Sequence, residues 1–242
     1  MTTLTTNYLT PTGREEAWRF TPLKRLGGMH DGSAIVADRH SLTLAGAKAS
    51  GVSFELKSSS DAPVLSESDD AIVGRIREAA RDVAVLTISA NTEVAEPIIF
   101  KRAPGDVQSA EFARVQINVE NHARATIIVE NTGDTHLAED VEIYVAPGAN
   151  LTLVSLQEWG AQTVHAGRQH AIVDRDANFK SIVVTIGGSL VRLLPTVEFA
   201  GPGASCELFG VYFATSGQFF EHRMFVDHKV PNAKSRVNYK GA

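Results

Sequence analysis

Five turn signals recur through the second half of the chain at nearly constant spacing. Each is a small polar residue or glycine followed by alanine: His122-Ala123, Gly148-Ala149, Asp176-Ala177, Gly203-Ala204 and Asn232-Ala233. Successive alanines lie 26, 28, 27 and 29 residues apart. A second, looser turn falls between them, at Asn131-Thr132-Gly133-Asp134, Trp159-Gly160, Gly187-Gly188 and Ser216-Gly217. Each period therefore holds two strands and two turns. A fixed period of this size marks a stacked array. With two strands and no helix per period it predicts a flattened parallel β-helix, whose coils bury their inward face only against their neighbours. An antiparallel sandwich also spaces its strands evenly, but it does not need so constant a register.

The same register predicts two inward columns. Two residues after each alanine come Ala125, Leu151, Phe179, Cys206 and Ser235; four after come Ile127, Leu153, Ser181, Leu208 and Val237. Strand pleat should turn both columns the same way. Val115, Ile117 and Val119 alternate with Gln116, Asn118 and Glu120, and Val141, Ile143 and Val145 with Glu142 and Tyr144, as half-buried strands do.

The first part of the chain reads differently. Thr12 is a candidate N-cap with Glu15 as its capping-box partner, and Trp18, Phe20 and Leu23 are candidates to dock that segment. Ala34-Ile35-Val36, Leu42-Thr43-Leu44 and Val52 to Leu56 read as short strands, and Lys57 to Asp61 as a polar loop. Ser68-Asp69-Asp70 precedes Ala71, Ile72, Ile76, Ala79 and Ala80, a helix with acidic residues at its start. Val83 to Ile88 and Pro97 to Phe100 are strands, and Lys101 to Gly105 is a turn. The expected class is mainly β: a parallel β-helix over 106–242, with about two strands per 26–29-residue coil, preceded by a small α/β region with an N-terminal arm over 1–105.

Composition narrows the function classes. The 242 residues carry a net charge of −5, a poor match to non-specific nucleic-acid binding. No apolar run reaches the eighteen or so residues of a membrane span. Residues 1–10 are Thr-rich and lack the pattern of a secretory signal. The single Cys206 has no partner for an internal disulfide. Together these predict a cytoplasmic protein.

Cys206 falls in the inward column, where a thiol acts as a small apolar residue. His165 and His170 are five apart, which in a strand puts them on opposite faces. Gly187-Gly188 lacks the frame of a phosphate loop. The densest set of polar residues with chemistry is near the end, where Glu221, His222, Asp227 and His228 are candidates for metal ligation or acid–base work. His222 and His228 are the candidate metal ligands. A polar outer face with a coil-end turn accounts for the same residues without chemistry.

At this stretch the chain resembles a known family. Phe225-Val226-Asp227-His228, Pro231, Ser235 and Tyr239-Lys240-Gly241 look like the signature shared by SufB and SufD proteins, scaffold subunits of the SUF iron–sulfur cluster assembly system. Asp227, His228, Ser235, Lys240 and Gly241 are its signature residues here. Pro11-Thr12-Gly13-Arg14-Glu15-Glu16-Ala17-Trp18-Arg19-Phe20-Thr21-Pro22-Leu23-Lys24, Gly187 to Val197, and Gly201 to Ala214 resemble SufD of the actinobacterial type. The resemblance implies a non-catalytic, SufD-like scaffold built on a parallel β-helix. It implies pairing with a SufB-like subunit and a SufC-like ATPase. It also implies no cofactor held stably by this chain, with iron or a nascent iron–sulfur cluster carried transiently by the complex. Family members continue past the Lys-Gly motif into further coils and a helical region that carries the SufC-docking surface. This implies a chain truncated at its C-terminal end, with an open strand edge available for self-association. The alternative is a polysaccharide lyase built on a β-helix. Such enzymes show carboxylates along one sheet face, and here no carboxylate column recurs at the repeat spacing.

Overall fold

The computed structural model describes residues 8–46 and 49–242; the Thr-rich start, residues 1–7, lies outside the described residues. Each coil contributes one strand to each of two facing sheets. In chain order the strands are β1 (Leu42–Ala45), β2 (Val52–Ser58), β3 (Asp82–Ile88), β4 (Ile98–Arg102), β5 (Ala110–Val119), β6 (Arg124–Gly133), β7 (His136–Val145) and β8 (Asn150–Trp159). They continue with β9 (Val164–Val173), β10 (Asn178–Thr185), β11 (Leu190–Phe199), β12 (Ser205–Tyr212), β13 (Phe219–His222), β14 (Phe225–Asp227) and β15 (Lys234–Gly241). One sheet runs β1-β4-β6-β8-β10-β12-β15 and the other β13-β11-β9-β7-β5-β3-β2, with β14 also paired to β11. The pairs β1–β4 and β2–β3 are antiparallel; from β3 and β4 onward the ladders are parallel. The fold is a parallel β-solenoid with two strands per coil, preceded by a small helical and β region.

The repeated turn has a clear backbone cause. His122, Gly148, Asp176, Gly203 and Asn232 all have positive φ, between 58° and 77°. Glycine enters that region freely, and Asn, Asp and His are the side chains that tolerate it best. The alanine that follows closes the turn, as in Ala149 N–H to Ala146 O at 3.0 Å, and is fully buried at 123, 149, 177 and 204. Any side chain longer than a methyl would meet the interior there.

Across the ladder Ala125, Leu151, Phe179 and Cys206 are in register and buried, as are Ile127, Leu153, Ser181 and Leu208. Ser235 and Val237 are exposed instead, because β15 has a ladder neighbour on one side only, β12.

The N-terminal expectations need correction in places. Ile35-Val36 forms no strand, only an isolated bridge from Val36 to Ala110. β2 runs on through Ser58 and β4 through Arg102, since both are held by ladder partners. Thr12 does not cap a helix; its N–H and hydroxyl donate to the Glu15 carboxylate, and a single 3-10 turn follows at Glu16–Trp18. Trp18 is buried, but Phe20 is exposed and docks on nothing in the core.

The helix α1 (Ala71–Ala79) starts where its acidic residues place it. Asp70 is the N-cap, accepting from Ile72 and Val73 N–H at 2.9 and 3.3 Å. Ile72 and Ile76 pack with Trp18, Leu26 and Met29 on the outer face of the eight-stranded sheet. The neighbouring residues Ala138 and Ala166 on β7 and β9 are small enough to let them approach. Among the described residues no helix is long and apolar enough to cross a membrane.

One side chain fastens this cover to the coils. Arg192 on β11 is 1% exposed. Its Nη2 donates to Asp70 Oδ2 at 2.9 Å, its guanidinium lies 3.8 Å from the Trp18 ring centroid, and its Nε is 3.8 Å from Glu221 Oε2. Glu221 in turn accepts from the Thr21 hydroxyl at 2.6 Å. Removing one partner of a buried ion pair strands the other, at a cost of about 3–5 kcal/mol. Arg192→Ala is therefore expected to lower unfolding stability in urea by about that amount and, by releasing the segment around Trp18, to speed tryptic cleavage at the already exposed Arg14, Arg19 and Lys24 before the coils unfold. Unchanged stability and unchanged cleavage would show that the clamp contributes nothing.

Candidate functional site

The polar stretch singled out near the end of the chain is split by the fold into separate environments. Glu221 is taken up by Arg192 and Thr21, so it is not available to a metal. His222 sits among aromatic rings, 5.1 Å from Tyr212 and 5.7 Å from Tyr239 between centroids, with Nε2 at 3.4 Å from the Thr185 hydroxyl. Burial lowers its pKa from 6.5 to about 4, so its ring is neutral.

His228 stands apart, stacked edge-on to Phe199 at 5.0 Å. Its Nε2 lies 2.9 Å from the Ser235 hydroxyl. Asp227 does not complete a Ser-His-Asp relay, because its carboxylate meets Lys229 Nζ at 3.0 Å instead. Lys240 and Gly241 pair in register with Val211 and Tyr212. The Tyr212 ring lies directly over Gly241, where a Cβ would overlap it, and the Tyr239 ring lies over Gly210 in the same way. Of the signature residues, then, the fold joins His228 to Ser235, and packs Gly241 against an aromatic ring. Among the described residues no group of three or more His, Cys, Asp or Glu side chains converges on a possible metal position.

His165 and His170 lie on opposite faces. His165 is lumenal, with Nδ1 3.4 Å from Gln157 Oε1 and its ring against Trp159. His170 bonds the Thr196 hydroxyl at 2.7 Å on the outer face. Burial, reinforced by nearby cations, lowers the first to about 3 and the second to about 4. Cys206 is 2% exposed, and burial followed by the charge of Glu207 raises its thiol to about 11. It is core filler with no thiolate character.

Two buried ionic groups were not foreseen from the sequence. On the outer face Arg114, Asp140 and Arg168 are neighbours in register on β5, β7 and β9. Arg168 Nε donates to Asp140 at 2.7 Å, and Glu142 accepts from Leu65 and Ser66 N–H at 3.0 and 3.1 Å. Arg77 of α1 reaches both carboxylates at 3.4 Å. Inside the coil, Arg102 donates to Asn131 at 3.2 Å, to Ser41 at 2.8 Å and to Glu139. Glu111 Oε1 is 3.4 Å from the same guanidinium. A charged residue inside an apolar strand run, as in Leu190-Val191-Arg192-Leu193-Leu194, is the signal that could have flagged such sites.

The outer face of the seven-stranded sheet differs. Ile128, Val154, Ile182 and Phe209 form an in-register, half-exposed row, flanked by the cross-strand pairs Lys101–Glu130 at 3.3 Å and Lys180–Glu207 at 2.7 Å.

The structure is thus a parallel β-solenoid whose buried charges fasten its own cover. The family profile described as "SUF system FeS cluster assembly, SufBD core domain" matches residues 101–242. The chain belongs to this SufBD family. It is 36% identical over 234 residues to an iron-sulfur cluster assembly SufBD family protein of Mycobacterium leprae, covering 96% of this chain and 59% of that protein. To its counterpart in Mycobacterium tuberculosis it is 36% identical over 236 residues, covering 96% and 58%. A Staphylococcus epidermidis SufBD family protein is 26% identical over 112 residues, 46% of this chain and 24% of that one. The chain thus spans 58–59% of the length of the mycobacterial relatives.

Two solution measurements check the site. His165, His170 and His222 are held well below their ordinary 6.5, so each gains a proton on unfolding once the pH drops below about 6.5. Stability is then full above that value and is lost as the pH falls towards about 4, by up to about 1.4 kcal/mol per pH unit for each histidine. The urea midpoint should be lower at pH 5 than at pH 7.5, and His170→Gln should flatten the slope; equal midpoints would mean the rings are solvated. Cys206 should resist iodoacetamide in the native protein and react fully in urea. Alkylation of the folded chain at a free thiol's rate would overturn its assignment to the core.

Proposed function

We propose that this chain acts as a SufD-like, non-catalytic scaffold of iron–sulfur cluster assembly, paired with a SufB-like subunit and served by a SufC-like ATPase in the cytoplasm. The observation that carries this reading is the SufBD core match over 101–242 combined with 36% identity across 96% of the chain to mycobacterial family members. The stretch Pro11 to Lys24, which resembles SufD, supports the finer assignment. It is a built element, with Trp18 under Arg192 and the Arg223 guanidinium donating to Ala17 O. Iron or a nascent cluster is cargo of the complex, and the scaffold's task is to hold a rigid surface next to it. The half-exposed row on the seven-stranded sheet is the surface suited to a homologous β-helical partner. Within the N-terminal region, Trp18, Leu26, Met29 and α1 then serve as the cover, while β1 to β4 join the two sheets of the coil core.

The lyase alternative is disfavoured by where the carboxylates are. Asp140 and Glu142 are each 1% exposed, neutralised by Arg168, Arg114 and Arg77, and roofed by α1. An acidic polysaccharide has no access to them.

Co-expression of the tagged chain with the SufB-like and SufC-like proteins of its source is expected to retain the SufB-like protein. Loss of retention on charging the apolar row, as in Ile182→Glu, would place the contact there. If neither partner is retained by this chain or by a version extended to the length of its relatives, the scaffold assignment is wrong.

A further inference from the structure

The coil interior is not uniformly apolar. Beside the Arg102 group a cavity of about 60 Å³ is lined by apolar side chains and by polar ones, among them Asn131, Glu139, Ser155, Gln157, His165 and Gln169. His165 is 3% exposed, and its Nε2 has no hydrogen-bond partner. The other ring nitrogen faces Gln157 Oε1 at 3.4 Å. That oxygen is an acceptor, already receiving the Trp159 indole N–H at 3.2 Å. The Nδ1 position therefore carries the ring proton, and Nε2 presents a lone pair to the cavity. Glu139 Oε2 is 3.9 Å from it, too far for a direct hydrogen bond. Two acceptors face one another across this gap, and Arg102 holds the carboxylate in place from its other oxygen.

We propose that the lumen holds an internal hydration site in which a small neutral molecule with two donor protons, water, bridges His165 Nε2 and Glu139 Oε2. Two acceptors need two donors between them, and one water supplies both at ordinary distances from each. The volume suits the ligand: about 60 Å³ is well above the roughly 10–15 Å³ that a single water requires. A cation is disfavoured, since two ligand atoms are too few and Arg102 already neutralises Glu139. Gly167 makes the space, for a Cβ there would lie 3.0 Å from His165 Nε2 and 3.3 Å from Leu193 Cδ2. Burial holds the ring neutral, so Nε2 stays an acceptor; burial also pushes the Glu139 carboxyl up, and the Arg102 guanidinium on its other oxygen opposes that by stabilising the carboxylate. This site is independent of the family assignment and of any partner.

The test is a crystal structure of the chain at near-atomic resolution, with a second crystal pressurised with xenon. The expected result is a full-occupancy density peak within about 3.2 Å of both atoms, with no xenon in the cavity. Gly167→Ala, which keeps both polar side chains, should lose that peak or displace it. Should that variant fail to fold, His165→Phe removes one acceptor and should leave the cavity dry and open to xenon. Xenon in the cavity of the unaltered protein, or a ring turned to bond Glu139 directly, would overturn the proposal. So would an empty cavity, with neither peak nor xenon.

Discussion

At each of five coil corners the backbone enters the left-handed region, and the next residue turns a methyl group into the interior. This one arrangement fixes much else. It reverses the chain within a single residue step, so both strands of a coil can lie flat against those of the coil below. It also sets the register, since the corner bonds to the next corner: His122 N–H to Pro147 O, Gly148 N–H to Arg175 O, Asp176 N–H to Pro202 O. A left-handed residue other than glycine costs about 1–2 kcal/mol, so His122, Asp176 and Asn232 are held there by the stacking of corners. Shift one corner by a residue and every inward side chain of that coil would face outward.

The stacking explains why the sequence was so readable over its second half. A corner that tolerates only Gly, Asn, Asp or His, followed by a position that tolerates only Ala, leaves a trace no tertiary contact can erase. The inward columns could then be counted off, and Leu151, Phe179, Cys206 and Leu208 are where the count put them. Ser235 and Val237 keep the same register on β15 yet are exposed, because strand pleat gives direction only; burial requires a neighbour on both sides. In the first part of the chain, where no repeat supports the local pattern, Ile35-Val36 and Phe20 were misread: apolar character alone does not say what a residue will meet.

The charges were illegible for a related reason. Arg192, Arg168, Asp140, Glu142 and Glu139 sit in strands, and each partner comes from another coil or from the cover. Arg168 and Asp140 are 28 residues apart, Arg192 and Asp70 122. Spacing along one strand cannot reveal a pair whose members meet across the ladder. The candidate site suffered most from this, since Glu221, His222, Asp227 and His228 are neighbours in sequence but have different partners in space.

The two faces of the solenoid therefore carry different consequences. The eight-stranded sheet spends its charges inward, on its own cover: Asp70 serves as helix cap and as counter-ion at once, so α1 and the coil stand or fall together. A buried pair of this kind adds little net stability against an apolar replacement, but it specifies one docking geometry, because a slipped helix would strand Arg192 or Asp70 without a counter-charge. The seven-stranded sheet spends its charges sideways, on neighbouring strands, and leaves its apolar row to solvent. This asymmetry decides what each face can accept. A face closed by ions cannot be invaded by the wrong surface, and an open face with self-paired charges can be covered by an apolar one without leaving an ion unpaired.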